Sequence, residues 1–149
     1  MNPKVLLSII LFSGALVSSA AFAAEYGTAA EARAMLEKAV AALKRDKAAA
    51  LASFNKGERG FKDRDLYPFC AGPDGIVTAH PTEIGKNVKL VKDKKGKAFG
   101  AEMFKVAEQG KIKEVSYMWV KPGGTEPVQK VSYITRVGDQ LCGVGYYKQ

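Results

Sequence analysis

Few residues in this chain of 149 could perform acid–base, thiol or metal chemistry. The sequence holds one histidine, His80, and two cysteines, Cys70 and Cys142. One imidazole and two thiols are too few for a metal cage or a histidine-based catalytic centre. Neither a serine triad nor a reactive thiol lies near His80 in the sequence, so we do not expect a general base there. The sequence therefore predicts a non-enzymatic protein without a cofactor, and a small enzyme is the weakest alternative.

Two cationic side chains are candidates for binding an anion. His80 is either a hydrogen-bonded structural residue or a donor to a ligand carboxylate, and donation is favoured below the ordinary imidazole pKa of about 6.5. Lys130 interrupts an apolar run and is either a solvent-facing lysine or a fixed ammonium for an anionic ligand. Strand alternation places Tyr117 and Trp119 on one face. The aromatic residues that would form a wall for a small amphipathic ligand, about half of them at the cavity itself, are Tyr67, Tyr117, Trp119 and Tyr133.

Residues 1–23 have the layout of a cleavable secretory signal peptide. Lys4 supplies a positive start, residues 5–17 form an uncharged apolar core, and small alanines precede a cleavage site. We therefore expect cleavage before Ala24 and a mature domain over residues 24–149 that is periplasmic or secreted. The alternative is a retained membrane anchor, because the apolar stretch nearly reaches spanning length. Serines and a glycine dilute that stretch, no basic flank follows it, and no later segment is apolar enough to span.

Export would place both thiols in an oxidising compartment. An even number of cysteines in such a compartment predicts a disulfide, here between Cys70 and Cys142. Because this bond would close a long loop, we expect it to contribute on the order of 4 kcal/mol to stability.

The chain is basic, with a net charge of +8. An irregular loop predicted over residues 81–97 carries six of its lysines, which are Lys86, Lys89, Lys92, Lys94, Lys95 and Lys97. Such a surface is usually only solvated, although it can also steer anions towards a nearby pocket. The predicted export, together with the lack of an arginine-rich or aromatic-interleaved reader motif, argues against nucleic-acid binding.

The apolar pattern predicts helices followed by strands. A capping box at Thr28 and Glu31 starts one long helix over about residues 28–55, which Gly57 ends. A shorter helix is predicted over residues 98–109. Strands are predicted over residues 66–71, 76–79, 115–120, 128–137 and 141–147. No dinucleotide or phosphate-loop motif is present, and this order of elements indicates an α+β sandwich with an antiparallel sheet.

A series of short motifs in the sheet region, about residues 60–147, carries a resemblance. In order they are Asp65-Leu66-Tyr67-Pro68-Phe69, Asp74-Gly75, His80-Pro81, Gly85-Lys86, Asp93-Lys94-Lys95-Gly96, Tyr117-Met118-Trp119, Lys121-Pro122-Gly123, Lys130-Val131-Ser132-Tyr133 and Gly143-Val144-Gly145-Tyr146. This ordered series resembles the single Cache domain, the extracytoplasmic sensing module of chemoreceptors and sensor kinases.

The resemblance implies a PAS-like fold and a ligand. The fold is a five-stranded antiparallel sheet in the order 2-1-5-4-3, with the long helix on one face and a pocket under the loop and short helix on the other. It places Cys70 and Cys142 on neighbouring strands. It also implies that a small anionic metabolite, such as a short carboxylate, binds in the pocket. The polar end of this ligand is expected at Lys130, His80 and Tyr117, with Trp119 and Tyr133 as apolar walls and Tyr67 nearby.

We therefore expect a periplasmic binding module that presents its ligand to a membrane sensor kinase or chemoreceptor. Because the sequence ends at Gln149 without a second membrane helix or signalling domain, a free-standing secreted form is expected. The alternative is an interaction or structural protein with a closed pocket, which docks an acidic partner or membrane surface through its basic face.

Overall fold

The computed structural model describes residues 24–148, and the predicted signal peptide lies outside these described residues. The helices are α1 (Ala29–Arg45), α2 (Lys47–Lys56) and α3 (Phe99–Val106), with a single 3-10 turn at Val88–Leu90. The strands are β1 (Pro68–Ala71), β2 (Val77–Ala79), β3 (Lys113–Val120), β4 (Pro127–Val137) and β5 (Gln140–Tyr147). None of the helices in this part of the chain combines the length and apolar character needed to cross a membrane.

The N-terminal helix is interrupted, so the expectation of one continuous helix over about residues 28–55 is wrong. Asp46 has an extended backbone, with φ −156°, and its side chain accepts a hydrogen bond from the amide of Ala49 at 3.0 Å. A short carboxylate that caps the following turn competes with helical pairing, which explains why α1 ends and α2 begins there. The capping box at Thr28 and Glu31 forms as predicted.

The sheet has the order β2-β1-β5-β4-β3 with every pair antiparallel, which confirms the predicted topology. β1 begins at Pro68, where a residue without an amide hydrogen costs no ladder bond. The free edge of β2 is covered by the following loop, since the Val77 amide donates to the Lys86 carbonyl at 2.9 Å and the Gly85 amide to the Val77 carbonyl at 3.0 Å. This covering keeps the short edge strand from pairing with another chain.

The two faces of the sheet have separate cores. α1 and α2 cover one face, where Leu36 and Phe54 are almost fully buried. The predicted disulfide lies in this core: Cys70 and Cys142 face each other across β1 and β5, with their Cα atoms 4.1 Å apart. α3 and the 80–98 segment cover the other face, on a second core that includes Met103. The second core is incomplete, and the remaining space is a cavity.

Candidate ligand cavity

A cavity of about 230 Å³ lies between the sheet and the segment that connects β2 to α3. Its lining is mostly apolar, with Phe99 and Met103 of α3 and Val88 and Val91 of the covering segment. Five of the six residues predicted for the ligand site line it, namely Tyr67, His80, Tyr117, Trp119 and Lys130. The geometry is that of a small-molecule pocket with a few convergent polar groups.

Lys130 is the cation that the cavity buries. It lies on β4 between Tyr117 of β3 and Tyr147 of β5, and only 5% of the residue is exposed, so it is not a solvent-facing lysine. Its Nζ is 4.7 Å from the centre of the Tyr147 ring and 5.4 Å from that of Tyr67. Within residues 24–148 no carboxylate oxygen comes within 4.0 Å of this Nζ. Burial lowers the pKa of Lys130 to about 8, although the Asp65 carboxylate opposes that shift.

Gly145 on β5 makes the room that Lys130 occupies. A Cβ at this position would lie 2.7 Å from Lys130 Cε and 2.8 Å from Ser132 Oγ. Ser132 Oγ is in turn 2.9 Å from the Tyr117 hydroxyl, which fixes the tip of that ring beside the lysine. In the sequence Gly145 stands out only as part of the Gly143-Val144-Gly145-Tyr146 motif. Two glycines at alternate positions of a buried strand were the signal that large side chains approach its backbone.

His80 lies at the rim as a neutral imidazole. Its Nδ1 accepts hydrogen bonds from the backbone amides of Thr82 at 3.1 Å and Glu83 at 3.2 Å, so Nε2 carries the ring hydrogen. Burial and, to a smaller extent, the nearby Lys130 lower the pKa of His80 to about 4, although Glu83 opposes that shift. At neutral pH the ring is therefore uncharged, and donation as an imidazolium would need a pH near 4 rather than 6.5. The side chain can still donate from Nε2–H as an uncharged group.

The aromatic wall is built around Phe99, which sequence reasoning assigned only to a helix face. The Tyr117 ring stacks on Phe99 with centroids 4.1 Å apart and planes at 5°, and Trp119 meets Phe99 edge-on at 5.6 Å. Tyr67 meets the His80 ring edge-on at 5.0 Å. Burial raises the pKa values of Tyr67 and Tyr117, so both hydroxyls remain protonated donors at neutral pH.

Tyr133 does not line the cavity, and its expected role as a wall is wrong. It lies on the helix-covered face, with its ring 5.5 Å from Tyr146 and beneath the guanidinium of Arg33. The reason is the two-residue period of a strand: Lys130 and Tyr133 are three positions apart on β4, so their side chains point to opposite faces.

Of the six lysines in the basic loop over residues 81–97, only Lys86 lines the cavity. Lys86 and Glu83 line the cavity and form an ion pair with each other at 2.5 Å. Asp93 anchors the far end of the loop, since its carboxylate accepts hydrogen bonds from the amides of Lys95, Lys97 and Met118 at 2.9 Å each. These contacts hold the loop over the cavity.

A sheet with helices on one face and a loop-covered cavity on the other defines a PAS-like sensor domain. A family model described as a Cache domain matches residues 32–145, and the chain therefore belongs to the Cache domain family. The predicted resemblance is confirmed. Cache domains are extracytoplasmic sensors.

Known proteins similar to this chain are chemoreceptors and their sensor domains. A methyl-accepting chemotaxis protein from Vibrio parahaemolyticus is 26% identical, with a TM-score of 0.63 over 79% of this chain and 86% of that structure. A periplasmic sensor domain of a chemotaxis protein and a Cache chemosensory domain studied for carboxylic acid recognition share the fold. Both are 24% identical over 80% of this chain, covering 90% and 88% of those structures, with TM-scores of 0.58 and 0.54.

One curated relative is similar over a shorter stretch. The methyl-accepting chemotaxis protein McpP of Pseudomonas putida is 39% identical over 64 residues, which are 42% of this chain and 12% of that protein. The match thus spans about an eighth of the length of this relative.

Proposed function

We propose that this domain is a non-enzymatic sensor module that binds a small monocarboxylate, with Lys130 holding the carboxylate. The observation that carries the proposal is a buried ammonium that faces a cavity and has no carboxylate within ion-pairing distance among residues 24–148. An unpaired buried charge is costly, and a ligand carboxylate would supply the missing partner. The Nε2–H of His80 and the hydroxyl of Tyr67, which also line the cavity, are further donors for the same group.

The distribution of charge in the cavity favours an acid with one carboxylate and a short apolar tail. Lys130 belongs to the sheet, whereas the apolar lining includes Phe99 and Met103 of α3 and Val91 of the segment before it. The other cation of the lining, Lys86, is already paired with Glu83, so a second carboxylate on the ligand would be desolvated against apolar side chains without a free cation to pair with. A cavity of about 230 Å³ suits a ligand of few carbon atoms.

The cavity also favours this function over the alternative of an interaction protein with a closed pocket. That alternative needs side chains to fill the space beneath the loop, and the space beneath this loop is open. Carboxylic acid recognition by a Cache domain of the same fold agrees with the proposed ligand class.

We further propose a periplasmic location after cleavage before Ala24, and a membrane chemoreceptor or sensor kinase as the partner that reads the bound state. Mass spectrometry of the periplasmic protein tests the cleavage site.

A thermal-shift screen of residues 24–149 tests the ligand class. Straight-chain monocarboxylates of two to six carbons are compared with dicarboxylates and primary amines of matched length. Because a ligand that binds only the folded state raises the melting temperature, we expect shifts with short monocarboxylates alone. Shifts with dicarboxylates or amines, or none with any acid, would contradict the proposal.

A further inference from the structure

Asp65 carries a buried carboxylate oxygen whose role is not explained by the fold. Only 7% of this residue is exposed. Its Oδ1 accepts a hydrogen bond of 2.6 Å from the amide of Gly27, just before α1. Its Oδ2 is the one buried side-chain oxygen or nitrogen in residues 24–148 that has no hydrogen-bond partner. Burying a carboxylate oxygen without a hydrogen bond lowers the free energy of unfolding, so such an oxygen calls for a functional explanation.

The complementary charge is Lys130, a buried cation that lines the cavity. The two side chains interact electrostatically, yet they form no ion pair within 4.0 Å. The rings of Tyr67 and Tyr147 flank the ammonium, and Asp65 acts electrostatically on both tyrosines as well. Opposite charges attract more strongly in a buried environment than in water.

We propose that Asp65 is a positioning residue for the carboxylate site: its carboxylate keeps Lys130 charged in the empty cavity without occupying the donors that the ligand needs. This inference rests on the proposed function of Lys130. A direct ion pair would occupy the N–H donors of the ammonium and make the ligand compete with Asp65 for them. The hydrogen bond from Gly27 holds the carboxylate back, and Asp65 is absent from the described residues that line the cavity.

No other group in the described chain provides an unpaired negative charge for this lysine. The titratable groups around Lys130 are Tyr67, His80, Glu83, Lys86, Tyr117 and Tyr147. The three tyrosines have raised pKa values and are neutral, and His80 is neutral too. Glu83 is paired with Lys86 at the rim. Asp65 is therefore the counter-charge within the fold.

The inference predicts that Asp65→Asn changes the pH dependence of binding and not merely its strength. At pH 6.5 Lys130 is charged in both proteins, and the variant loses the repulsion between Asp65 and the ligand, so its affinity for propionate equals or exceeds that of wild type. At pH 9 the variant lacks the charge that favours the ammonium, so its affinity falls below that of wild type by about tenfold. A purely structural role would lower affinity by the same factor at both pH values. Asp65→Glu, which restores the carboxylate, should restore the wild-type profile.

A measurement without ligand separates this inference from the proposed function. Nuclear magnetic resonance of the Lys130 side chain should show a lower titration midpoint in Asp65→Asn than in wild type. Equal midpoints and parallel pH profiles would overturn the inference. A lower midpoint in a domain that binds no acid would leave the Asp65–Lys130 coupling intact and contradict only the carboxylate ligand.

A double-mutant comparison keeps the inference testable if Asp65→Asn folds poorly. Asp65→Asn leaves the buried Lys130 ammonium without its counter-charge, and this part of the loss is absent when Lys130 is replaced by Met. The drop in melting temperature caused by Asp65→Asn should therefore be smaller in a Lys130→Met background. An equal drop in both backgrounds would mean that the two charges are not coupled, and the inference would fail.

Discussion

Gly145 and Lys130 lie on neighbouring strands so closely that a Cβ on Gly145 would be 2.7 Å from Lys130 Cε. The missing side chain is what allows the long lysine side chain to lie along the sheet inside the cavity. Gly145→Ala should therefore displace the ammonium, reduce the affinity for a monocarboxylate by at least tenfold and lower stability by about 1–3 kcal/mol. Calorimetric titration and urea unfolding measure the two effects. Gly124→Ala, at a turn outside the cavity, is the control, and identical behaviour of both variants would refute this role of Gly145.

Lys130→Met should stabilise the empty domain while it removes the anion-binding charge. The folded pKa of about 8 lies below the unfolded value of about 10.5, so folding penalises the ammonium at neutral pH. We expect the free energy of unfolding of Lys130→Met to exceed that of wild type by about 1–3 kcal/mol at pH 7. Between pH 8 and 10.5 the unfolded chain binds more protons than the folded one, so wild type becomes more stable and the gain shrinks. Urea unfolding at pH 7 and pH 10 measures it, and a less stable variant at pH 7 would contradict the unpaired buried charge.

His80 should make the fold sensitive to acid. Its folded pKa of about 4 lies below the unfolded value of about 6.5, so its contribution is complete above pH 6.5 and is lost as the pH falls towards 4. Between pH 6.5 and pH 4 we expect the free energy of unfolding to fall by about 1–2 kcal/mol more for wild type than for His80→Asn. The asparagine oxygen can still accept from the Thr82 and Glu83 amides, so the loop is retained. Equal losses in urea titrations of both proteins would show that His80 is not held neutral.

The disulfide should be a major stabilising element on the helix-covered face. Cys70 and Cys142 are both fully buried, and their bond closes a loop with a sequence separation of 72 residues. The double variant Cys70→Ala/Cys142→Ala should lose about 2–4 kcal/mol relative to the oxidised protein. Wild type treated with a reducing agent should lose a similar amount in urea unfolding. Free thiols in protein recovered from the periplasm would rule the bond out.

The topology could be predicted because the ordered series of motifs resembles the Cache domain, and that resemblance implies the strand order. The sheet order and the neighbouring strands of Cys70 and Cys142 followed from this resemblance, and strand alternation predicted the shared face of Tyr117 and Trp119. The facing of side chains along β4 could also be predicted. Lys130 and Tyr133 differ by an odd number of positions, so their side chains lie on opposite faces of the sheet. Assigning Tyr133 to the cavity ignored this constraint.

Other features depend on three-dimensional surroundings that a sequence pattern does not contain. The break at Asp46 arises because one carboxylate caps the next turn, which helix propensity alone does not predict. The neutral state of His80 follows from its burial and from two backbone amides on its Nδ1. The separated charges of Asp65 and Lys130 are visible only once the 24–28 segment is placed against the sheet.

The most direct test of the carboxylate site is calorimetric titration of wild type, Lys130→Met and Lys92→Met with the monocarboxylate that gives the largest thermal shift. Lys92 is an exposed lysine of the loop outside the cavity lining and serves as the matched control. A charge-assisted hydrogen bond contributes roughly 1.5–3 kcal/mol, so Lys130→Met should weaken binding by about one to two orders of magnitude. Lys92→Met should bind as wild type does. Equal affinities for wild type and Lys130→Met would contradict the assignment of Lys130 as the carboxylate-binding residue.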